Sequence, residues 1–420
     1  MNRKIDLPVE LVLLGETLLH HAELFVVGGF VRDSLLEKKN TDIDICSKLT
    51  PSELFSILKN TQFEVIDKNS KLGCVVVKVG KYAFEHTTFR KEIYFSNGTH
   101  LPEAIEFCTD IREDAKRRDF TINAIYYNVL SNEMIDIYSG LGDLKRNVVR
   151  TIETPSYVFQ HDGLRILRFA RIVAQTGFKA DFVSFTQAKK MAYRLTDISG
   201  KRKFQELQKI LELSLNNENK KSNSYLVGLK MLNCFKVWPT FYIPVSHIKF
   251  KMTKRVEPSQ KLLGFLIDVI DCVNPDCVEY YLKQLLGNKG FMLKEKEIDR
   301  LNMLVCGYFD ALNKKRNKDY FIKYCEYYPE IAKILKKRSN LLFDKYNFFW
   351  EYAIAHKLPL TIKDLKITSL DLKKHFPKIP EKKYQKIMKK LLNQVFEGEI
   401  INSQEKLLME VRDAFNNGDY

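Results

Sequence analysis

The chain has 420 residues, 45% of them hydrophobic and 29% charged, which excludes wholesale disorder and leaves room for two to four domains. The formal charge is +16, and residues 1–200 hold 27 Lys and Arg against 26 Asp and Glu. Nearly all the excess therefore falls in the second half, which predicts a polyanionic partner there.

Glu16 and Glu23 interrupt the apolar start, and no uncharged stretch approaches the ~20 residues a bilayer requires. Val9–Leu19 is amphipathic and predicts a helix rather than a secretory signal, so the expected address is cytoplasmic with no membrane contact. Leu24–Val27 is a short apolar strand ended by Gly28-Gly29. Phe30–Leu36 follows as a helix, and Thr41–Cys46 alternates polar and apolar as a strand does. Ser52–Asn60 predicts a helix with Pro51 suited to its first turn. Cys74–Val79 and Tyr82–Arg90 read as strands joined at Gly80-Lys81, and Tyr126–Leu130 with Met134–Tyr138 as a hairpin. After Pro155 the pattern turns helical: Asp162–Thr176, Phe182–Leu195, Lys203–Leu215, Tyr225–Leu232, Gln260–Cys272 and Lys383–Phe396. The polar runs 216–224 and 313–319 are expected linkers. The cysteines are scattered without a C-x2-C pair, which argues for free thiols.

The chemistry is concentrated near the start. If Asp42 and Asp44 lie two apart on a strand, their carboxylates share a face, and a divalent cation resolves the repulsion. Oxygen ligands and shared phosphates suit Mg²⁺. Gly28-Gly29 at a strand-to-helix turn lets phosphates approach the backbone, and Arg32 adds a positive fork.

These residues, Gly28-Gly29-x-Val31-Arg32-Asp33 followed by Asp42-x-Asp44, resemble the head of the class II tRNA nucleotidyltransferase and bacterial poly(A) polymerase family. Further blocks follow in that family's order: Arg117–Ala124 (RRDFTINA), the glycine-containing Asp136–Leu144, Asp162–Arg171, and the helix-stabilising Ser199-Gly200-Lys201-Arg202-x3-Glu206. The resemblance covers residues ~20–210 at motif level. It implies a polymerase-β-like α/β nucleotidyltransferase head followed by an all-α remainder, with Asp42 and Asp44 catalytic and metal-binding. It also implies that Arg118, Asp119 and Asn123 hold the ribose and phosphates of the nucleotide. The expected division is a catalytic head at 1–150, a nucleotide-selecting neck at 151–215, a helical body at 216–340 and a basic RNA-binding tail at 341–420.

Asp162, Arg165 and Arg168 step by three, which predicts one helical face. A carboxylate accepting and a guanidinium donating match the amino group and ring nitrogen of cytosine or adenine, and mismatch uracil and guanine. Arg168 and Arg171 then fall where phosphates are natural partners. The implied activity is addition of CMP, CMP and AMP from CTP and ATP to the 3′ end of tRNA. Poly(A) polymerase and partial A-adding or CC-adding activity are the alternatives, and no obligate protein partner is implied. The stretch Glu92–Ile105 resembles the family's flexible loop, which favours full CCA or terminal A addition. Glu85 is left open as a third carboxylate. Two departures from the family pattern, His161 before Asp162 and Lys201 before Arg202, predict rearranged support of the selecting helix.

Overall fold

The computed structural model describes residues 4–93, 104–213, 224–251, 258–288, 290–313, 323–324, 327–338, 354–359 and 361–417. The chain separates into two units, Met1–His247 and Ile248–Tyr420.

The first unit is built on a seven-stranded mixed sheet. Its strands run in the order Glu64–Asn69, Cys74–Val79, Tyr82–Thr88, Asp44–Ser47, Phe25–Val27, Ile125–Asn128 and Met134–Asp136. Phe25–Val27 is apolar throughout because both of its faces are covered, and all three residues are buried. It pairs antiparallel with Asp44–Ser47, placing Val27 opposite Asp44. Asp44–Ser47 runs parallel to Tyr82–Thr88, placing Asp44 opposite Glu85. The register is supported by a small aromatic core in which Tyr126 meets Phe25 and Phe89 edge-on, an arrangement aromatic quadrupoles favour.

Local chemistry sets the helices that flank the sheet. Thr50 caps Pro51–Leu58: its hydroxyl accepts from the Glu53 N–H while the Glu53 carboxylate accepts from the Thr50 N–H. Leu164–Thr176 buries one apolar stripe, including Ile166, Leu167, Phe169, Ala170 and Val173. It packs against Gly200–Glu212 and Ser224–Phe235. A Cβ at Gly228 would come within 2.6 Å of Ile210, so only glycine lets the last of these helices approach so closely.

In the second unit, residues 361–417 form a cluster of their own. Leu372, Ile387, Leu391, Leu407 and Val411 meet in its core, drawn from Ser369–His375, Glu381–Glu397 and Gln404–Asn416. The inward residues of Glu381–Glu397 recur at helical spacing, which leaves Lys382, Lys386, Lys389 and Lys390 exposed. No helix among the described residues is long and apolar enough to cross a membrane.

The strands depart from expectation in three places. The expected strand Thr41–Cys46 begins only at Asp44. Asp42 instead donates its N–H to the Asn40 side chain at 3.0 Å, a local bond that competes with strand pairing. The strand Glu64–Asn69 has no signature in the sequence pattern, because it is exposed or half-buried throughout and its burial is too shallow to impose alternation. The stretch expected as a loop opens and closes on a hairpin, Arg90–Ile93 with Ala104–Phe107. Residues 94–103 of that loop, most of both expected linkers, and the cluster Lys314-Lys315-Arg316 with Lys318 lie outside the described residues.

Candidate active site

A cavity of about 460 Å³ opens beside the sheet, within the range that holds a small ligand. Its walls come from the turn Gly28-Gly29, the strand start Asp44, Leu72, the hairpin residues Arg90, Glu92 and Ile105, the block Arg117–Asn123, and the stretch Asp162–Arg168 with Arg202. Six arginines line it against Asp44, Glu92, Asp119 and Asp162, a surplus suited to a polyphosphate.

Gly28 adopts φ +85°, a backbone state a side chain resists. A Cβ there would lie 3.4 Å from the Asp44 carboxylate. The turn therefore brings bare backbone against the acid. Burial, followed by the neighbouring carboxylates of Asp42 and Glu85, pushes Asp44 up to about 6. Asp42 is exposed and is not a wall of the cavity; its effect on Asp44 is through space. Glu85 is ion-paired with Lys68. Among the described residues no group of three or more His, Cys, Asp or Glu is arranged to hold a metal ion. The donor set nonetheless fits a hard dication: the Asp44 carboxylate is disfavoured by like charge that a cation would neutralise.

Behind the turn, a relay of side chains ties the walls together. Arg32 donates through Nε and Nη2 to Asp33 and through Nη1 to Asn123 Oδ1, each at 2.8 Å. Asn123 Nδ2 donates to Asp119 Oδ1 at 3.2 Å. Asp119 Oδ2 accepts from Arg168 Nε at 2.7 Å. Although burial opposes it, the adjacent Arg168 guanidinium and the Arg168 and Asn123 hydrogen bonds hold the Asp119 carboxyl down at about 2. Arg118 donates to the Tyr126 hydroxyl and to Asp114 Oδ2 while lining the cavity.

Three expected roles change. Arg32 is 2% exposed and absent from the cavity wall, so it is a brace between the turn and Asn123 and not an open phosphate fork. Arg171 donates Nε to Glu206 at 2.7 Å, pinning the selecting helix to Gly200–Glu212 instead of facing a ligand. Asp162 does not share a helical face with Arg165 and Arg168. It is extended, at φ −143° and ψ 104°, because its Oδ1 accepts from the Leu164 N–H and so caps the helix that begins there. All the same, Asp162, Arg165 and Arg168 reach one cavity. Arg165 is buried and donates Nη2 to the Arg117 carbonyl at 2.6 Å. Asp162 Oδ2 lies 3.7 Å from Arg202.

Arg202, Arg117, Arg90 and Glu92 line the site in addition to the expected residues. Arg117 adjoins Arg118, and Arg202 belongs to the block after the selecting helix, so two were within reach of the sequence. Arg90 ends the expected strand Tyr82–Arg90 and Glu92 opens the expected loop Glu92–Ile105, but neither carried a sign of lining the site. Gly28, Gly29, Asp44, Arg118, Asp119 and Asn123 line this one cavity.

Residues 24–150 match the family model described as the poly A polymerase head domain; the chain has a nucleotidyltransferase head with a mixed sheet, followed by a helix-rich remainder. The relatives are more particular. The chain is 34% identical over 200 residues to a CCA-adding enzyme of Bacillus velezensis, which is 46% of this chain and 49% of that protein. It is 27% identical over 392 residues to a CCA-adding enzyme of Ligilactobacillus salivarius, covering 92% and 91%. The match to the first of these, as to several others, spans about half the relative's length. In fold, the chain is similar to the crystal structure of the Bacillus stearothermophilus CCA-adding enzyme in complex with CTP, with a TM-score of 0.63, 21% identity, and coverage of 97% and 98%.

Proposed function

We propose that this protein is a template-independent nucleotidyltransferase that adds CMP, CMP and AMP, from CTP and ATP, to the 3′ end of tRNA. The observation that carries the reading is one cavity holding both the acid of the glycine turn, Asp44, and the selecting pair Asp162 and Arg165. The CCA-adding enzymes similar to it along most of the chain support the substrate choice.

The chain's own groups divide the work. The backbone at Gly28-Gly29 and the arginines of the wall take the triphosphate, where guanidinium forks match phosphate oxygens. Arg118, Asp119 and Asn123 lie where the ribose would rest between base and phosphates. Asp162 offers an acceptor and Arg165 donors to the base edge. UTP and GTP present carbonyl and N–H in the reverse order and leave both groups mismatched, at ~1–3 kcal/mol for each buried group. Asp42 and Asp44 would hold Mg²⁺. Its contribution when bound is to acidify the primer 3′-hydroxyl and neutralise the pyrophosphate leaving the α-phosphorus.

The test is incubation with CTP or ATP, singly and together, on a tRNA lacking CCA, a tRNA lacking only the final A, and an oligo(A) strand. The reading expects CC from CTP alone, CCA from both, and no long extension of oligo(A). Processive AMP addition to oligo(A) would assign poly(A) polymerase instead.

A further inference from the structure

Beside the nucleotide cavity lies a second, smaller recess of about 60 Å³ that shares Glu92, Arg117 and Arg165 with it. Its outer edge is aromatic. Tyr157 and His161 sit one turn apart on the helix Pro155–His161, with ring centroids 4.0 Å apart. The His161 Nδ1 lies 2.6 Å from the Tyr157 carbonyl oxygen, which fixes the imidazole against its neighbour. Val158 and Phe159 of the same helix are buried and anchor it, whereas Tyr157 remains 42% exposed. Lys91 and Lys116, both exposed, stand on the same recess, with Arg117 and Arg165 against the acids Glu92 and Glu113.

An exposed tyrosine face stiffened by an imidazole and flanked by lysines is the chemistry that holds unpaired bases, with stacking on the ring and phosphates on the cations. The recess is too small to enclose a base, so a base would lie on the rings and not inside. The incoming base is not the occupant, because Asp162, half of its selecting pair, lines only the larger cavity and neither ring lines that cavity. His161 immediately precedes Asp162, which puts the platform one residue from the selecting pair.

We propose that Tyr157 and His161 form a stacking platform for the 3′-terminal base of the RNA primer, positioning its hydroxyl beside the nucleotide cavity. The inference rests on the function proposed above, and they are positioning residues. The test uses the full-length protein and a short RNA hairpin whose single-stranded 3′ end carries 2-aminopurine in place of the terminal base. Binding to the wild-type protein is expected to quench the fluorophore. The bound RNA should be several-fold brighter with Tyr157→Leu/His161→Ala and should stay quenched with Tyr157→Phe, which keeps the ring and controls for folding. In steady-state extension the double variant should raise the primer KM roughly tenfold, equivalent to about 1.4 kcal/mol, and leave the CTP KM within twofold. Equal quenching by the double variant and wild type would overturn the platform, as would a shift in the CTP KM alone or failure of the RNA to bind. Ring-dependent quenching without any nucleotide incorporation would uphold the platform and reject the nucleotidyltransferase reading.

Discussion

At the scale of residues, the site depends on which charges are committed to one another and which are left for a ligand. Arg32 is committed. Its removal strips a donor from Asp33 and from Asn123, both buried, and breaking such a pair costs ~3–5 kcal/mol. Arg32→Met should therefore lower the urea midpoint substantially. A variant of normal stability with selectively weakened triphosphate binding would instead return Arg32 to the role read from sequence. His86 is a second case. Burial pushes it down to about 3 from its ordinary 6.5, and its ring nitrogen Nε2 lies 2.8 Å from the Ser47 hydroxyl. The unfolded chain takes up this proton below pH 6.5 and the folded chain does not, so stability falls as pH drops from 6.5 towards 3, by up to about 1.4 kcal/mol per pH unit. The difference between wild type and His86→Gln isolates this group from Asp44, whose raised value acts in the opposite direction. Urea unfolding at pH 7 and pH 5 should show a shallower acid loss in the variant, and parallel losses would contradict the assignment.

At the scale of elements, the glycine turn, the strand Asp44–Ser47 and the selecting helix were legible because each carries its own local signal. Gly28-Gly29 ends an apolar run, Thr41–Cys46 alternates although only the part from Asp44 on is a strand, and Ile166, Leu167, Phe169 and Ala170 repeat at helical spacing. What stayed hidden depends on partners remote in the chain. Nothing near Arg32 in sequence announces Asn123, and Glu206 was read as part of a helix-stabilising block without Arg171 as its partner, so both looked like free cations. The early end of regular pairing at Asp42 hangs on one side-chain bond from Asn40. The turn itself is testable. Gly28→Ala must hold a side chain at φ +85° and ψ −141° with its Cβ 3.4 Å from Asp44, a strain on the order of 1–3 kcal/mol. It should reduce incorporation by at least tenfold at a modest loss of thermal stability; full activity would show that the backbone there need not be bare.

At the scale of the whole molecule, the charge asymmetry and the exposed lysines of Glu381–Glu397 point to a polyanion bound through its phosphates. Such contacts give affinity without sequence preference and weaken with salt. Reversing Lys382, Lys386 and Lys389 to Glu should weaken tRNA binding and flatten its salt dependence by about one unit of slope for each phosphate no longer neutralised. Their side chains point away from the core formed by Ile387, Leu391 and Val395, so the melting temperature should hold. Unchanged affinity at low salt would move the RNA surface elsewhere. The similarity over 392 residues to a CCA-adding enzyme reaches this second half, where the sequence offers basic helices and no motif. That is why the head could be read in detail and the remainder only in outline.

The central claim is that Asp44 beside the glycine turn, with Asp42 near it, would anchor the cation on which nucleotide addition depends. Asp44→Ala removes a carboxylate that burial and its acidic neighbours disfavour, so the fold should be kept or even stabilised. Single-turnover incorporation of CMP into a tRNA lacking CCA, with saturating Mg²⁺, should fall to background in this variant. Incorporation within tenfold of the wild-type rate would contradict the account.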